Sequence, residues 1–217
     1  MYLQTGLFFL LCSFLHSSVV SASKRARGVS FHSPSQYIQH WNTKPGSQVS
    51  WAYNWASATD YTFPKDLEYI PMLWSNQPQY TDPWSQNVKT ALPRGTSHLL
   101  AFNEPDSCST GQSCISPADA VAAYRKHMMP FAGKALLGAP AVSDGPNGLA
   151  WLKQFMALCT TCRIDFIPIH WYGQATKFRC LYEYIQSASL AAPGKEIWLT
   201  EVGYSNSCRL SLTISEN

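Results

Sequence analysis

The chain has 217 residues, 46% hydrophobic and 13% aromatic, with only 13% charged and a formal net charge of +3. Charged residues usually make up about a quarter of a soluble domain, so each acid here is scarce enough to be weighed singly. The small positive excess is dispersed outside the N-terminal region, which argues against a nucleic-acid partner.

Residues 1–22 carry an apolar run from Leu7 to Leu15 and then small residues, with Val20 and Ala22 at the two positions a signal peptidase reads. This predicts a signal peptide and a secreted, extracellular protein. The run is too short to span a bilayer, so no membrane anchor is expected. Residues 23–27 form a short basic segment in which Lys24 and Arg25 offer a processing site. Beyond them, 28–205 suit one domain with a substantial core, followed by a divergent tail at 206–217. Nothing in the sequence announces an obligate protein partner.

The first predicted element is a strand at Gly28 to His32, followed by strands at Val49 to Trp55, Glu68 to Trp74 and His98 to Asp106. A helix is expected over Ser116 to Ala132, where Ser116 can cap, Pro117 suits the first helical position and Asp119 favours the positive end. Gly133 ends it. A strand at Leu136 to Val142, a helix at Gly148 to Cys159, a strand at Ile164 to Gly173, a helix at Phe178 to Leu190 and a strand at Glu196 to Tyr204 follow. This alternation predicts an α/β fold with a parallel sheet. An open doubly wound sheet usually carries a Gly-rich phosphate turn, and none is present. A (β/α)8 barrel of TIM type places its active residues at the ends of several strands, and that is where this chain keeps its polar and aromatic residues.

Six cysteines follow the signal peptide: Cys108, Cys114, Cys159, Cys162, Cys180 and Cys208. An even number in an oxidising compartment favours disulfides. Cys108 with Cys114, and Cys159 with Cys162, each bracket a short loop beside a strand and are the expected pairs. Cys180 and Cys208 are left unassigned. The Cys159–Cys162 spacing also occurs in zinc and redox sites, but no second such pair accompanies it. No metal and no cofactor are expected.

The chemistry is carried by LLAFNEPD, Leu99 to Asp106, and IWLTEVGY, Ile197 to Tyr204. Each apolar run ends on a glutamate. Two-residue periodicity places Glu104 on the face of Leu100 and Phe102, and Glu201 on the face of Ile197 and Leu199. Glycoside hydrolysis needs such a pair, one carboxyl group to protonate the leaving oxygen and another to attack or to activate water. Asn103 is placed to bind a sugar hydroxyl, and Trp55, Trp74, Trp171 and Tyr172 are candidate platforms for sugar rings. His170 is placed to orient a carboxylate. Asp106 and Asp144 read as turn acids that bind local backbone, and a Ser-His-Asp hydrolase is excluded by the lack of a G-x-S-x-G turn.

Seven segments in order, GVSFH, VSWAYNW, YIPMLW, LLAFNEPD, the stretch from Ser116 to Gly145, the stretch from Gly148 to Gly173, and WLTEVGYS, resemble the fungal glycosyl hydrolase catalytic core of the alkali-sensitive linkage type, glycoside hydrolase family 128. The resemblance implies a (β/α)8 barrel that cleaves β-1,3-glucan of the fungal cell wall with retention, with Glu104 as acid/base and Glu201 as nucleophile. It also implies an eighth strand after Tyr204, where this sequence has thirteen residues, so a barrel truncated after its seventh strand is expected. The alternative is a non-catalytic β-glucan-binding wall protein that keeps the aromatic cleft.

Overall fold

Seven strands, all parallel and paired in chain order, frame the molecule in a computed structural model that describes residues 27–32, 34–42, 45–145, 147–174 and 176–204. The expected signal peptide, the basic segment as far as residue 26 and the tail at 206–217 lie outside the described residues. The strands are β1 (Arg27–Ser30), β2 (Val49–Tyr53), β3 (Glu68–Tyr69), β4 (His98–Leu99), β5 (Leu136–Leu137), β6 (Phe166–Gly173) and β7 (Glu196–Tyr204). Between the short strands the ladder continues as single parallel bridges, Met72 to Leu100, Asn103 to Ala141, Gly138 to Phe166 and Val142 to Ile169. All seven predicted strands are therefore present, three of them reduced to two residues. Pro71 and Pro140, which have no N–H to give to a ladder, lie in two of the interrupted runs.

The helices are α1 (Gln39–Asn42), α2 (Pro78–Ala91), α3 (Pro117–His127), α4 (Gly148–Leu158) and α5 (Phe178–Ala191). As expected, the Ser116 hydroxyl caps α3 by accepting the Asp119 N–H at 3.2 Å. The helix stops five residues short of the expected Ala132, because Pro130 follows and turns the chain into a 3₁₀ segment at Met129–Phe131. The α2 helix has no counterpart in the sequence reading. Pro83 inside it masks the periodicity, yet Trp84, Val88 and Ala91 form a buried stripe.

Alternation along the strands separates an inward core from outward ones. Inward residues Trp51, Tyr53, Ile70, Met72, Leu100 and Phe166 pack together, with Trp55, Trp74 and Trp198 against them. Outward residues such as Leu99, Ile167, Ile169 and Trp171 pack under the helices with Trp84, Tyr124, Phe155 and Tyr184. The sheet curls far enough for Trp51 on β2 to stack on Trp198 of β7, ring centroids 5.2 Å apart. The Tyr53 hydroxyl donates to the Thr200 carbonyl at 3.1 Å. The strands β1 and β7 approach each other without forming a ladder among the described residues.

Two expectations about strand faces are corrected. Ile197 and Leu199 pack outward against the helical layer, not on the face of Glu201. The pairing of β6 with β7 runs from Ile169 opposite Leu199 to His170 opposite Glu201, so Thr200 is an extra residue, a β-bulge. That residue turns Glu201 inward. Phe102 likewise packs with the outward core and not with Leu100. Glu104 comes inward because it leaves the strand in the left-handed region, at φ +40°.

Candidate active site

At the C-terminal ends of the strands lies a cleft of about 570 Å³ lined by Trp55, Trp74, Asn103, Glu104, Tyr172 and Glu201, among others. Glu104 follows β4 and Glu201 lies on β7, and one oxygen of each lies within 4.8 Å of the other and of a ring nitrogen of His170. His170, wholly buried, sits between them. Its Nδ1 is 2.9 Å from Glu104 Oε1 and within hydrogen-bond geometry. Its Nε2 is 3.4 Å from Glu201 Oε1, within ion-pair range but out of line for a hydrogen bond, which leaves that nitrogen without a hydrogen-bond partner.

Glu201 is gripped from two sides. Trp55 Nε1 donates to its Oε1 and the Tyr172 hydroxyl to its Oε2, both at 2.6 Å. Burial, together with the hydrogen bond to Glu201, pushes the Tyr172 phenol above its ordinary value, so it remains a donor. Donors on both oxygens fix the orientation of the carboxylate. Trp55 itself is held at φ +55°, a region that non-glycine residues rarely occupy. Glu104 also lies there, its N–H donating to the Ala141 carbonyl at 2.8 Å. Unfavourable backbone at two residues of one cleft is the pattern of a site held by its surroundings.

Asn103 lines the cleft with its side-chain oxygen buried and unpartnered. Its carbonyl accepts the Ser113 hydroxyl at 2.5 Å, inside the loop closed by the Cys108–Cys114 disulfide. That loop also brings Gly111 and Gln112 to the cleft. Cys159 is joined to Cys162, so both expected pairs form.

Trp171 does not line the cleft. Alternation along β6 sends His170 and Tyr172 inward and Trp171 outward, where it is 8% exposed within the core beneath the helices. Asp106 and Asp144 also depart from the sequence reading, since their partners are distant. Asp106 accepts the Ser143 N–H at 3.0 Å and the Ser143 hydroxyl, and Asp144 accepts the Tyr172 N–H at 2.9 Å. They fasten the loop after β5 to the ends of β4 and β6. Asp144 lines the cleft as well. No local spacing signals a bond across 28 residues, so sequence reasoning had no access to it. Among the described residues, Glu104, His170 and Glu201 are also the group able to offer three ligand atoms to a metal ion. Hydrogen bonds from Trp55 and Tyr172 to Glu201, and between His170 and Glu104, tie the three into the cleft.

The sequence profile of the glycosyl hydrolase catalytic core matches residues 28–216. Alkali-sensitive linkage protein 1 of Schizosaccharomyces pombe is 35% identical over 161 residues, which are 73% of this chain and 28% of that protein. The chain thus spans little more than a quarter of that relative. A curdlan-specific exo-β-1,3-glucanase from Blastomyces gilchristii, of GH128 subgroup III and solved in complex with glucose, superposes with a TM-score of 0.73 at 33% identity, covering 83% of this chain and 76% of that one. A GH128 subgroup I endo-β-1,3-glucanase from Amycolatopsis mediterranei, solved with laminaritriose, gives a TM-score of 0.61 at 33% identity over 82% of this chain and 69% of that one. With its paired glutamates at the strand ends and a profile match that spans the domain, the chain belongs to the glycosyl hydrolase catalytic core family.

Proposed function

We propose that this chain is a retaining β-1,3-glucan hydrolase on a (β/α)8-type scaffold, secreted to act on fungal cell-wall glucan. The observation that carries the reading is the close pair of carboxylates. Retaining glycosidases hold theirs about 5–5.5 Å apart, whereas inverting enzymes leave about 6.5–9.5 Å for a water. Oxygens of Glu104 and Glu201 within 4.8 Å favour the first class. The glucanase structures described above, one with laminaritriose and one with glucose, favour a β-1,3-glucan as substrate. The apolar N-terminal stretch supports secretion.

In this mechanism the Glu201 carboxylate attacks the anomeric carbon while Glu104 gives its proton to the departing glycosidic oxygen. A glycosyl ester on Glu201 results. Glu104, now ionised, takes a proton from water, whose oxygen attacks the same carbon and releases Glu201. His170 fixes the Glu104 carboxyl through Nδ1. Trp55 and Tyr172 aim Glu201. The unpartnered Asn103 amide oxygen is positioned for the sugar hydroxyl next to the reacting carbon. Trp74 and Tyr172 offer ring faces to the glucan.

Proton NMR of the first product released from a laminarin oligosaccharide tests the reading, with the β-anomer expected first. Initial α-anomer would overturn retention and the role of Glu201. Glu104→Gln and Glu201→Gln should each lower turnover by at least about a hundredfold while oligosaccharide binding, measured by calorimetry, changes little. Binding without turnover in the unaltered chain would favour the non-catalytic glucan-binding alternative.

A further inference from the structure

Gly203 lies on β7 directly opposite Tyr172 on β6. A Cβ at Gly203 would stand 2.6 Å from Tyr172 Cε1 and 2.7 Å from its Cδ1, far inside van der Waals contact, and the phenol ring rests in the space a side chain would fill. The backbone of Gly203 has no positive φ, so this glycine is not explained by conformation. On its other side, the same ring delivers its hydroxyl to Glu201 Oε2 at 2.6 Å, and the Tyr172 backbone is tied through its N–H to Asp144. With the backbone fixed, the ring has one way to yield. It is 40% exposed, so it can swing into solvent.

We infer that Gly203 is a positioning residue for hydrolysis: its missing side chain sets the distance between the Tyr172 hydroxyl and Glu201. This rests on the reading of Glu201 as nucleophile. The smallest side chain at 203 displaces the ring, removes one of the two donors that hold the carboxylate, and costs the fold little because the displaced ring moves toward water.

The test is a double-mutant cycle of Gly203→Ala and Tyr172→Phe on a laminarin oligosaccharide. Each single variant should lower kcat about ten- to hundredfold, the range expected for one hydrogen bond to a charged group. The double variant should be no slower than Tyr172→Phe alone. In both singles kcat should fall while KM stays within about twofold. Gly173→Ala is the control for packing damage, because its Cβ would meet the buried Trp171 ring at 2.3 Å. It should lower thermal stability and leave kcat within about threefold of the unaltered chain. Fully additive losses in the double variant, or an unchanged kcat in Gly203→Ala, would overturn the inference. A crystal structure of Gly203→Ala decides the matter independently of turnover: the Tyr172 hydroxyl should lie beyond hydrogen-bond reach of Glu201, and an intact contact overturns the proposal. Absence of glucan hydrolysis by the unaltered chain counts against the proposed function, with that crystallographic distance still deciding the role of Gly203.

Discussion

Glu104 occupies a backbone region that disfavours side chains, at φ +40°. For a residue with a Cβ the left-handed conformation costs about 1–2 kcal/mol, a strain maintained here by the Glu104 N–H bond to Ala141 and by the Ser107 N–H bond to the Glu104 carbonyl. Glu104→Gly should therefore be more stable than Glu104→Ala by about 1 kcal/mol, although both lack the carboxyl group. Urea midpoints of the two variants check this, and equal midpoints would show the backbone to be relaxed. Asp60 provides a pH dependence at the same scale. Burial raises its pKa, but bonds from Ser35 and Thr62 outweigh that and bring it down to about 2. An unfolded aspartate titrates near 3.9, so the stabilisation is present above about pH 4 and is lost as pH falls from there to about 2. The stability difference between the unaltered chain and Asp60→Asn should shrink across that window, as read from urea melts. A difference that is constant with pH would remove Asp60 from the account. The identity of both glutamates was legible in the sequence because so few acids are available and two of them end apolar runs. The left-handed backbone at Glu104 and Trp55 was not, since it accompanies contacts with distant residues, the Glu104 N–H with Ala141 and the Trp55 indole with Glu201.

Among elements, β7 shows how a regular pattern misleads. Ile197, Leu199 and Glu201 alternate in sequence, yet the bulge at Thr200 sends the first two outward and the third inward. The bulge is anchored from two directions, by the Tyr53 hydroxyl on the Thr200 carbonyl and by the Thr200 hydroxyl on the Ile169 carbonyl at 3.4 Å. Deleting Thr200 should close the ladder with Leu199 opposite Ile169 and Glu201 still opposite His170, so the carboxylate keeps its inward face. Hydrolysis should then stay well above the level of Glu201→Gln while circular dichroism stays that of a folded α/β protein. Hydrolysis as low as that of Glu201→Gln would show that the bulge sets more than the face. Apolar content located every strand, and a Ser-Pro start with acidic third residue located α3. Bulges leave no such trace, because the residue that is extra is defined only by the neighbouring strand. The same limit hid the contacts of Asp106 and Asp144, whose partners lie on other loops.

At the level of the whole molecule, the inward aromatic residues join distant parts of the chain. Trp198 of β7 packs against Trp51 of β2, His98 of β4 and Phe166 of β6. Its removal takes away filling shared by four strands. Trp198→Ala should cost about 2–3 kcal/mol in urea unfolding, somewhat below the range for a fully buried tryptophan because the ring is only partly buried. It should also weaken turnover, since Glu201 lies three residues further along the same strand. A loss under about 0.5 kcal/mol would show that the interior is held together without it.

The bond from Trp55 to Glu201 joins residues 146 positions apart. While the polypeptide is being synthesised, the indole is made early and waits without its acceptor until residue 201 has left the ribosome. No fragment that lacks either end of the span holds the full grip on the Glu201 carboxylate. That grip thus appears late in the life of the nascent chain and disappears with excision at either end.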